Sequence, residues 1–278
     1  MPEQLEDLLT RRPPGEALEW AARAVGDGAR VVSARRLRGG TSSAMHELVI
    51  ERRGGGRERV VLRRYVRADW LVREPDLAVR EARALRLASR AEVATPEVIA
   101  VDEEGSESDV PSVLMSQVAG RVRMVPRDLD GWLRQLAEVL PAIHAVEGDE
   151  LGEVQRYQTW ADLDGLAAPE WTGEPEAWAA VIALAQGPRP RVRQRFIHRD
   201  YHPMNVLWSR GRLSGVVDWT NASVGPPGND VGWCRGNLVA SHGLKAAERF
   251  REFYEAVAGV EQHPVWDALV LIEGLPEP

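Results

Sequence analysis

Hydrophobic and polar positions follow two different periods in the first third of the chain. Apolar residues recur at helical spacing over residues 15–30, which predicts a helix. Glycine-containing clusters at 39–43 and 54–56 are typical of turns between strands. Apolar runs beside these turns predict three strands that pair as an antiparallel sheet: Val31–Leu37, Glu47–Glu51 and Arg59–Tyr65.

A helix and two further strands complete this part of the pattern. Asp76–Ser89 consists mostly of good helix formers, and Pro96 ends the helical region. Val98–Val101 and Ser112–Ser116 then have the composition of short strands. We therefore expect a small antiparallel sheet with one main helix in the first part of the chain.

The pattern becomes mainly helical from about residue 129 onward. Trp132–Val146 has the clearest helical periodicity, whereas strand-like runs are short, at Asn205–Trp208 and Gly215–Val217. The sequence therefore predicts an α+β fold with two lobes. Val118–Gly120 is a candidate hinge between them, so the lobes are expected at residues 1–118 and 119–278.

Composition narrows the classes of protein that fit. A chain of 278 residues, 44% hydrophobic and 28% charged, is long enough to fold into two lobes. Its net charge of -7 opposes binding to nucleic acid, and no apolar run is long enough to cross a membrane. The single cysteine, Cys234, cannot form an internal disulfide. We expect a soluble cytoplasmic protein that binds neither nucleic acid nor membrane.

The strongest chemical signal is a cluster of oxygen-bearing side chains in the second half of the chain. Asp200 lies in the segment Phe196–Asn205, Asn205 follows five residues later, and Asp218 comes directly after an apolar strand. Phosphoryl transfer needs a carboxylate that orients the attacking hydroxyl, and oxygen ligands for the Mg²⁺ that bridges the phosphates. The spacing therefore favours a phosphotransferase over a helix cap with two surface turns.

Histidines near Asp200 allow a second interpretation. His198 and His202 flank the carboxylate at a spacing that a zinc hydrolase could use. A bracing role for both is favoured, because Mg²⁺ prefers oxygen ligands. His144 lies on an apolar helix face and is expected to be a hydrogen-bonded core residue.

With these motifs in order, the chain resembles the aminoglycoside phosphotransferase and choline kinase-like family, which is related in fold to protein kinases. The resemblance covers most of the chain and implies a two-lobed protein kinase-like fold. It rests on the His198–Asn205 loop, on the Asp218 strand and on five further segments: Leu37–Ser43, Val61–Arg63, Glu81, Leu114–Gly120 and Gly225–Asp230.

The resemblance implies a role for each residue of the oxygen cluster. Asp200 would be the catalytic base, Asn205 and Asp218 would hold Mg²⁺, and Asp230 would help to order the second lobe. The implied phosphate donor is ATP, with GTP possible, and the implied acceptor is a hydroxyl group of a small molecule. The acceptor would be similar to an aminoglycoside, an amino alcohol or a sugar.

In the first lobe, the resemblance assigns contacts with the nucleotide. Arg63 occupies the strand position where many relatives have Lys, and Glu81 is its implied partner. Arg64 is the alternative if the strand register is shifted by one, and both arginines could instead lie on an exposed strand edge. The turn would cradle phosphate and the strand end would receive adenine, through these residues: Gly39, Gly40, Ser42, Ser43, Met115, Ser116 and Val118.

Two further features remain open. Residues 147–178 combine acidic side chains with Trp160, Trp171 and Trp178, which could hold a cationic or sugar-like acceptor. The favoured interpretation is a solvated helical face with the tryptophans packed inward, so no substrate residue is assigned there.

Arg199 stands where many small-molecule relatives have Gly, as it does in protein kinases. The short interval from Asp218 to the next motif, however, leaves no room for a protein-kinase activation segment. The alternatives to a small-molecule phosphotransferase are a catalytically silent nucleotide-binding module and an acidic interaction domain.

Overall fold

The structure is a computed structural model, and it describes residues 8–37 and 43–275. The chain folds into two compact units. The first contains Met1–Arg90 and Ala94–Ala119, and the second contains Ala91–Val93 and Gly120–Pro278. Each unit has its own sheet strands and its own helices, and each is described by itself below.

An antiparallel sheet forms the centre of the first unit. Among the described residues it has five strands in the order β1-β2-β3-β5-β4, so β3 lies in the middle. The register pairs Arg63 of β3 with Met45 of β2 on one side and with Val113 of β5 on the other. The strands are β1 Arg30–Arg36, β2 Ala44–Glu51, β3 Arg57–Arg64, β4 Val98–Asp102 and β5 Ser112–Ser116.

Helix α1, Gly15–Val25, covers one face of this sheet. Trp20 and its apolar neighbours pack with Leu48 and Leu62, which the period of two along each strand directs to the same face. The sequence predicted a helix up to residue 30, and this end was wrong. Gly26, at φ 153°, ends the helix, and β1 begins at Arg30.

Two more helices precede β4. The short helix α2, Ala68–Arg73, was not predicted, and all of its residues are at least partly exposed. Helix α3, Leu77–Ala88, was predicted within one residue at each end. Its buried residues include Glu81 among leucines and alanines, so a carboxylate lies in an otherwise apolar face.

The second unit is mainly helical, as the sequence predicted. Small antiparallel sheets, β6-β8-β9 and β10-β7, lie in the same unit. Its helices are α4 Leu129–His144, α5 Pro175–Gln186, α6 Gly228–His242, α7 Leu244–Ala258 and α8 Val265–Glu273. Its strands are β6 Arg121–Val122, β7 Arg195–Ile197, β8 Val206–Ser209, β9 Arg212–Val216 and β10 Ser223–Gly225.

The predicted strands of this unit are shifted by a few residues. Asn205 was placed in a strand but lies in the 3₁₀ turn Pro203–Asn205, immediately before β8. The second predicted strand, Gly215–Val217, covers the end of β9. In the part of the chain that the structure describes, no helix is both long enough and apolar enough to span a bilayer.

Candidate phosphoryl-transfer site

The loop after β7 holds the first two residues of the predicted oxygen cluster. Asp200 is partly exposed, whereas Asn205 is 8% exposed. Asn205 Nδ2 donates a hydrogen bond to the Asp200 backbone oxygen at 2.9 Å and another to Asp200 Oδ2 at 3.2 Å. Since its amide nitrogen is used in this way, Asn205 Oδ1 is the atom available to bind a cation.

The hairpin β8–β9 brings the third residue to the same place. Val206 pairs with Val216, and the Val217 N–H donates to the Asn205 carbonyl oxygen at 2.9 Å. Asp218 therefore lies one residue beyond the backbone partner of Asn205. Its φ of 68° is in the left-handed region, which non-glycine residues enter mainly at turns and functional sites.

An aromatic stack supports the backbone below Asp218. The fully buried Trp219 stacks on Phe196 with ring centroids 5.6 Å apart, and His198 lies tilted against it at 4.5 Å. Trp219 Nε1 also donates to the Val216 carbonyl oxygen at 3.1 Å. The tryptophan after Asp218 is therefore a packing residue that fixes the end of β9.

Both neighbouring histidines have bracing contacts. The His198 ring lies 3.0 Å from the Val217 carbonyl oxygen through Nε2, and its Nδ1 accepts the Asp200 N–H at 3.3 Å. His202 Nδ1 accepts the Met204 N–H at 3.2 Å, and its Nε2 lies 3.3 Å from Asp200 Oδ1. These contacts fix the loop around the carboxylate.

Asp230, in the first turn of α6, holds the start of the same loop. This fully buried carboxylate accepts the His198 N–H at 2.9 Å and the Arg199 N–H at 2.6 Å. His144 of α4 lies 3.0 Å from its Oδ2. A negative charge is favourable at this position because the N-terminus of a helix carries partial positive charge.

The donor set suits Mg²⁺ better than Zn²⁺. Asn205 and Asp218 offer oxygen atoms, and Mg²⁺ is usually held by one or two carboxylates together with substrate phosphates. A zinc site needs three or four nitrogen, sulfur or oxygen ligands from the protein. Among the described residues, no three His, Cys, Asp or Glu side chains form a group that could hold a metal ion, which counts against the zinc hydrolase.

In the first unit, Arg63 and Glu81 form a buried ion pair. Arg63 Nη1 lies 2.6 Å from Glu81 Oε1, and both side chains are at most 4% exposed. Tyr65, which sequence reasoning missed, donates its hydroxyl to Glu81 Oε2 at 2.7 Å. Arg63 Nε also donates to Ser43 Oγ at 2.8 Å, so the ion pair reaches the end of the glycine-containing turn.

The exposed-edge interpretation of the two arginines was wrong. Arg63 is 3% exposed and Arg64 is 5% exposed, because β3 is the central strand of the sheet. The alternating side-chain directions of a strand send them to opposite faces. Arg64 forms an ion pair with Asp109 and is therefore separate from Glu81.

The other predicted nucleotide contacts divide into two groups. Gly39, Gly40 and Ser42 lie outside the described residues. Met115 and Ser116 end β5, where the Ser116 N–H donates to the Glu97 carbonyl oxygen at 2.8 Å. Val118 follows two residues later. The role of this strand end in binding adenine stays a prediction.

The aromatic and acidic stretch differs from its favoured interpretation. Instead of a solvated helical face with inward tryptophans, residues 147–178 are mostly irregular apart from the 3₁₀ helix Asp149–Glu153, and α5 begins only at Pro175. Trp160 is 52% exposed and Trp171 is 70% exposed. Glu273 of α8 accepts hydrogen bonds from this stretch, a contact across more than 110 positions that no local pattern indicated.

Known proteins that are similar to this chain identify its class. The fold is that of the kinase-like phosphotransferases. The family model of the phosphotransferase enzyme family matches residues 33–269, so the chain belongs to this family. The predicted resemblance is therefore confirmed, and the chain is a small-molecule phosphotransferase rather than a silent module or an interaction domain. No curated protein sequence gives a significant match.

Solved structures share the fold at low sequence identity. One is the apoenzyme of macrolide 2'-phosphotransferase MphH from Brachybacterium faecium, with a TM-score of 0.61 and 20% identity over 95% of this chain and 87% of that chain. A second is the GDP complex of aminoglycoside 2'-phosphotransferase-IIIa, with a TM-score of 0.64 and 17% identity over 87% and 83%. A third is a thermostable mutant of aminoglycoside phosphotransferase APH(4)-Ia in a ternary complex with AMP-PNP and hygromycin B, with a TM-score of 0.63 and 20% identity over 93% and 89%.

Proposed function

We propose that the chain transfers the γ-phosphate of Mg-ATP, or of Mg-GTP, to a hydroxyl group of a small molecule. One observation carries the proposal: Asn205 is hydrogen-bonded both to Asp200 and to Val217, the residue before Asp218. These contacts support a cluster of two carboxylates and an amide oxygen at one end of the β8–β9 hairpin. This is the set of groups that phosphoryl transfer requires.

In this proposal, Asp200 orients the acceptor hydroxyl and takes its proton. Its side chain is partly exposed, so an acceptor can reach it, and Asn205 and His202 restrict its movement. A positioned base contributes about 10²- to 10⁴-fold to the rate. The hydroxyl oxygen forms the new bond to the γ-phosphorus, while the bond to the leaving nucleoside diphosphate breaks.

Asn205 Oδ1 and the Asp218 carboxylate would hold Mg²⁺, and Asp230 would keep the loop in place. When bound, the cation would neutralise charge on the phosphates during transfer. Neighbours crystallised with GDP or with AMP-PNP support a nucleotide as phosphate donor. The choice between ATP and GTP is left to experiment.

In the first unit, we assign the nucleotide contacts to Arg63, supported by Glu81, and to the glycine-containing turn. The short Arg63–Glu81 contact fixes the guanidinium, and Arg keeps its positive charge at any working pH. The adenine contact is assigned to Met115, Ser116 and Val118. The cytoplasmic location and the absence of nucleic-acid and membrane partners stay predictions.

The acceptor is proposed to be an aminoglycoside, a macrolide, an amino alcohol or a sugar. An enzyme of known structure that is similar to this chain was crystallised with hygromycin B, which supports a hydroxylated small molecule. The test is a panel of these four classes, assayed for ADP or GDP release with Mg-ATP and with Mg-GTP. At least one compound should raise release well above the rate without acceptor, and chelation of Mg²⁺ should abolish the rise. Release that no compound raises would contradict the proposal.

A further inference from the structure

Arg199 occupies a backbone position that favours glycine. Its φ is 65°, in the left-handed region where an L side chain is strained, yet the residue is only 3% exposed. The arginine directly precedes the proposed base Asp200. A strained residue at this point persists only where the surrounding contacts hold it.

The side chain of Arg199 makes such contacts with the segment of residues 157–160. Its guanidinium carbon lies 3.9 Å from the ring centroid of Trp160 and 4.8 Å from that of Tyr157. Its Nη2 donates to the Gln158 carbonyl oxygen. Its backbone N–H donates to Asp230 Oδ1, so one residue joins the catalytic loop to the segment.

The two ends of the segment have separate anchors. The Tyr157 N–H donates to the Val224 carbonyl oxygen at 3.0 Å. At the other end, Glu273 Oε1 accepts from Thr159 Oγ1 at 2.7 Å and from the Trp160 N–H at 3.0 Å. The two ends of the segment are therefore anchored without Arg199, whereas the arginine holds the middle of its backbone, at the Gln158 carbonyl oxygen, and the orientation of the Trp160 ring.

Trp160 is partly open to solvent, so a ligand can reach it. One face lies against Arg199, the ring meets Trp233 edge-on at 5.9 Å, and 52% of the residue remains exposed. Arg199 adjoins Asp200 in the chain, so one residue links the Trp160 ring to the loop of the proposed base. An exposed tryptophan linked to that loop can serve as a wall for the acceptor.

We propose that Arg199 is a positioning residue, which holds Trp160 so that the ring of a sugar-like acceptor packs on it beside Asp200. This inference rests on the proposed function. A guanidinium already lies over one face of the tryptophan, which disfavours a second cation on the opposite face. The uncharged C–H face of a hydroxylated ring is therefore the chemistry that suits Trp160, in preference to an ammonium group.

The kinetic test compares Arg199→Gly with Arg210→Gly. Both variants replace an arginine at positive φ by glycine, but Arg210 is exposed in the β8–β9 turn. The assay uses the ring-bearing compound of the panel that the wild type phosphorylates fastest, with choline as an acyclic comparison. Arg199→Gly should lower kcat/KM for the ring compound by about 10-fold or more, mainly through KM. The KM for Mg-ATP and kcat/KM for choline should change by less than about 2-fold, and Arg210→Gly should resemble the wild type.

A double-mutant cycle tests whether Arg199 acts through Trp160. The effect of Arg199→Gly on the KM of the ring compound should largely disappear in the background of Trp160→Ala. Equal effects in both backgrounds would overturn the inference, and so would an equal loss for the ring compound and for choline. A merely structural role would lower stability without this selective change in KM.

Hydrogen exchange of the whole protein supplies a readout that needs no acceptor. Arg199→Gly should increase exchange in residues 156–161 and leave α6 unchanged, whereas Arg210→Gly should change neither. Unchanged exchange in 156–161 would overturn the inference. If the wild type phosphorylates no compound of the panel, the proposed function fails, and exchange alone then decides whether Arg199 holds the segment.

Discussion

At the scale of single residues, buried charges define both halves of the proposed chemistry. Glu81 and Asp230 are each at most 1% exposed, and each is surrounded by donors. A buried carboxylate without partners is very unfavourable, so these hydrogen bonds are a condition for the fold. Glu81 positions Arg63 and Asp230 positions the loop before Asp200, the two groups to which the proposal gives functional roles.

The buried ion pair in the first unit gives a prediction about stability. Glu81→Ala leaves the Arg63 guanidinium and the Tyr65 hydroxyl buried without this carboxylate. Removing one partner of a buried pair lowers the free energy of unfolding by roughly 3–5 kcal/mol. Urea denaturation followed by circular dichroism measures the loss.

An exposed pair near the same helix provides the control. Glu74 pairs with Arg80, and its side chain is 46% exposed. Glu74→Ala should therefore cost only about 0–1 kcal/mol, since solvent screens the pair. Equal losses for Glu81→Ala and Glu74→Ala would show that burial of the Arg63 pair does not matter.

Residue spacing was sufficient to predict which residues of the candidate site are neighbours, while their roles stay predictions. Asp200, Asn205 and Asp218 lie within 19 positions of each other, and a loop followed by a hairpin brings them together. The pairs His144–Asp230 and Thr159–Glu273 span 86 and 114 positions. Such contacts depend on how the helices pack, and no local pattern records this packing.

At the scale of elements, prediction worked where a pattern was long enough. Helix α3 and the five strands of the first sheet have repeated apolar positions, and each was located to within a few residues. Strands β6, β7 and β10 contain two or three residues each. A run of that length has no readable period, and β7 is defined only by its partner β10.

A histidine in strand β2 gives a prediction about pH. Burial, together with the charges of Arg64 and Arg36, lowers the pKa of His46 to about 4. The unfolded chain then binds more protons than the folded one between that value and the ordinary value of 6.5. The stability that burial of neutral His46 allows is therefore fully present above pH 6.5, and it is lost as the pH falls toward about 4.

The size of this pH-dependent loss of stability can be measured by comparing the wild type with a variant that lacks His46. Between about pH 7 and about pH 5, the free energy of unfolding should fall by about 2 kcal/mol more in the wild type than in His46→Leu. The exposed His263 serves as control, because His263→Gln should keep the wild-type dependence. If His46→Leu follows the wild-type pH profile, burial of a neutral imidazole is not the cause.

At the scale of the whole molecule, the chain has a family fold, and two arginines stand out against the family resemblance. The resemblance implies Lys in many relatives at the position of Arg63 on β3, and Lys245 is the single lysine of the sequence, so the proposed phosphate contacts use guanidinium groups. It implies Gly in many small-molecule relatives at the position of Arg199, which here bonds to the segment 157–160. The proposed role of Arg63 concerns the phosphate donor, and the proposed role of Arg199 concerns the acceptor.

The most direct test of the account is transfer of labelled γ-phosphate from ATP to the best acceptor of the panel by Asp200→Asn. Asparagine keeps an oxygen for the Asn205 hydrogen bond but cannot take a proton. The account predicts a loss of transfer of about 10²- to 10⁴-fold with unchanged affinity for Mg-ATP, whereas Asp149→Asn, at an exposed turn, should retain full transfer. Transfer by Asp200→Asn at the wild-type rate would contradict the assignment of Asp200 as the base.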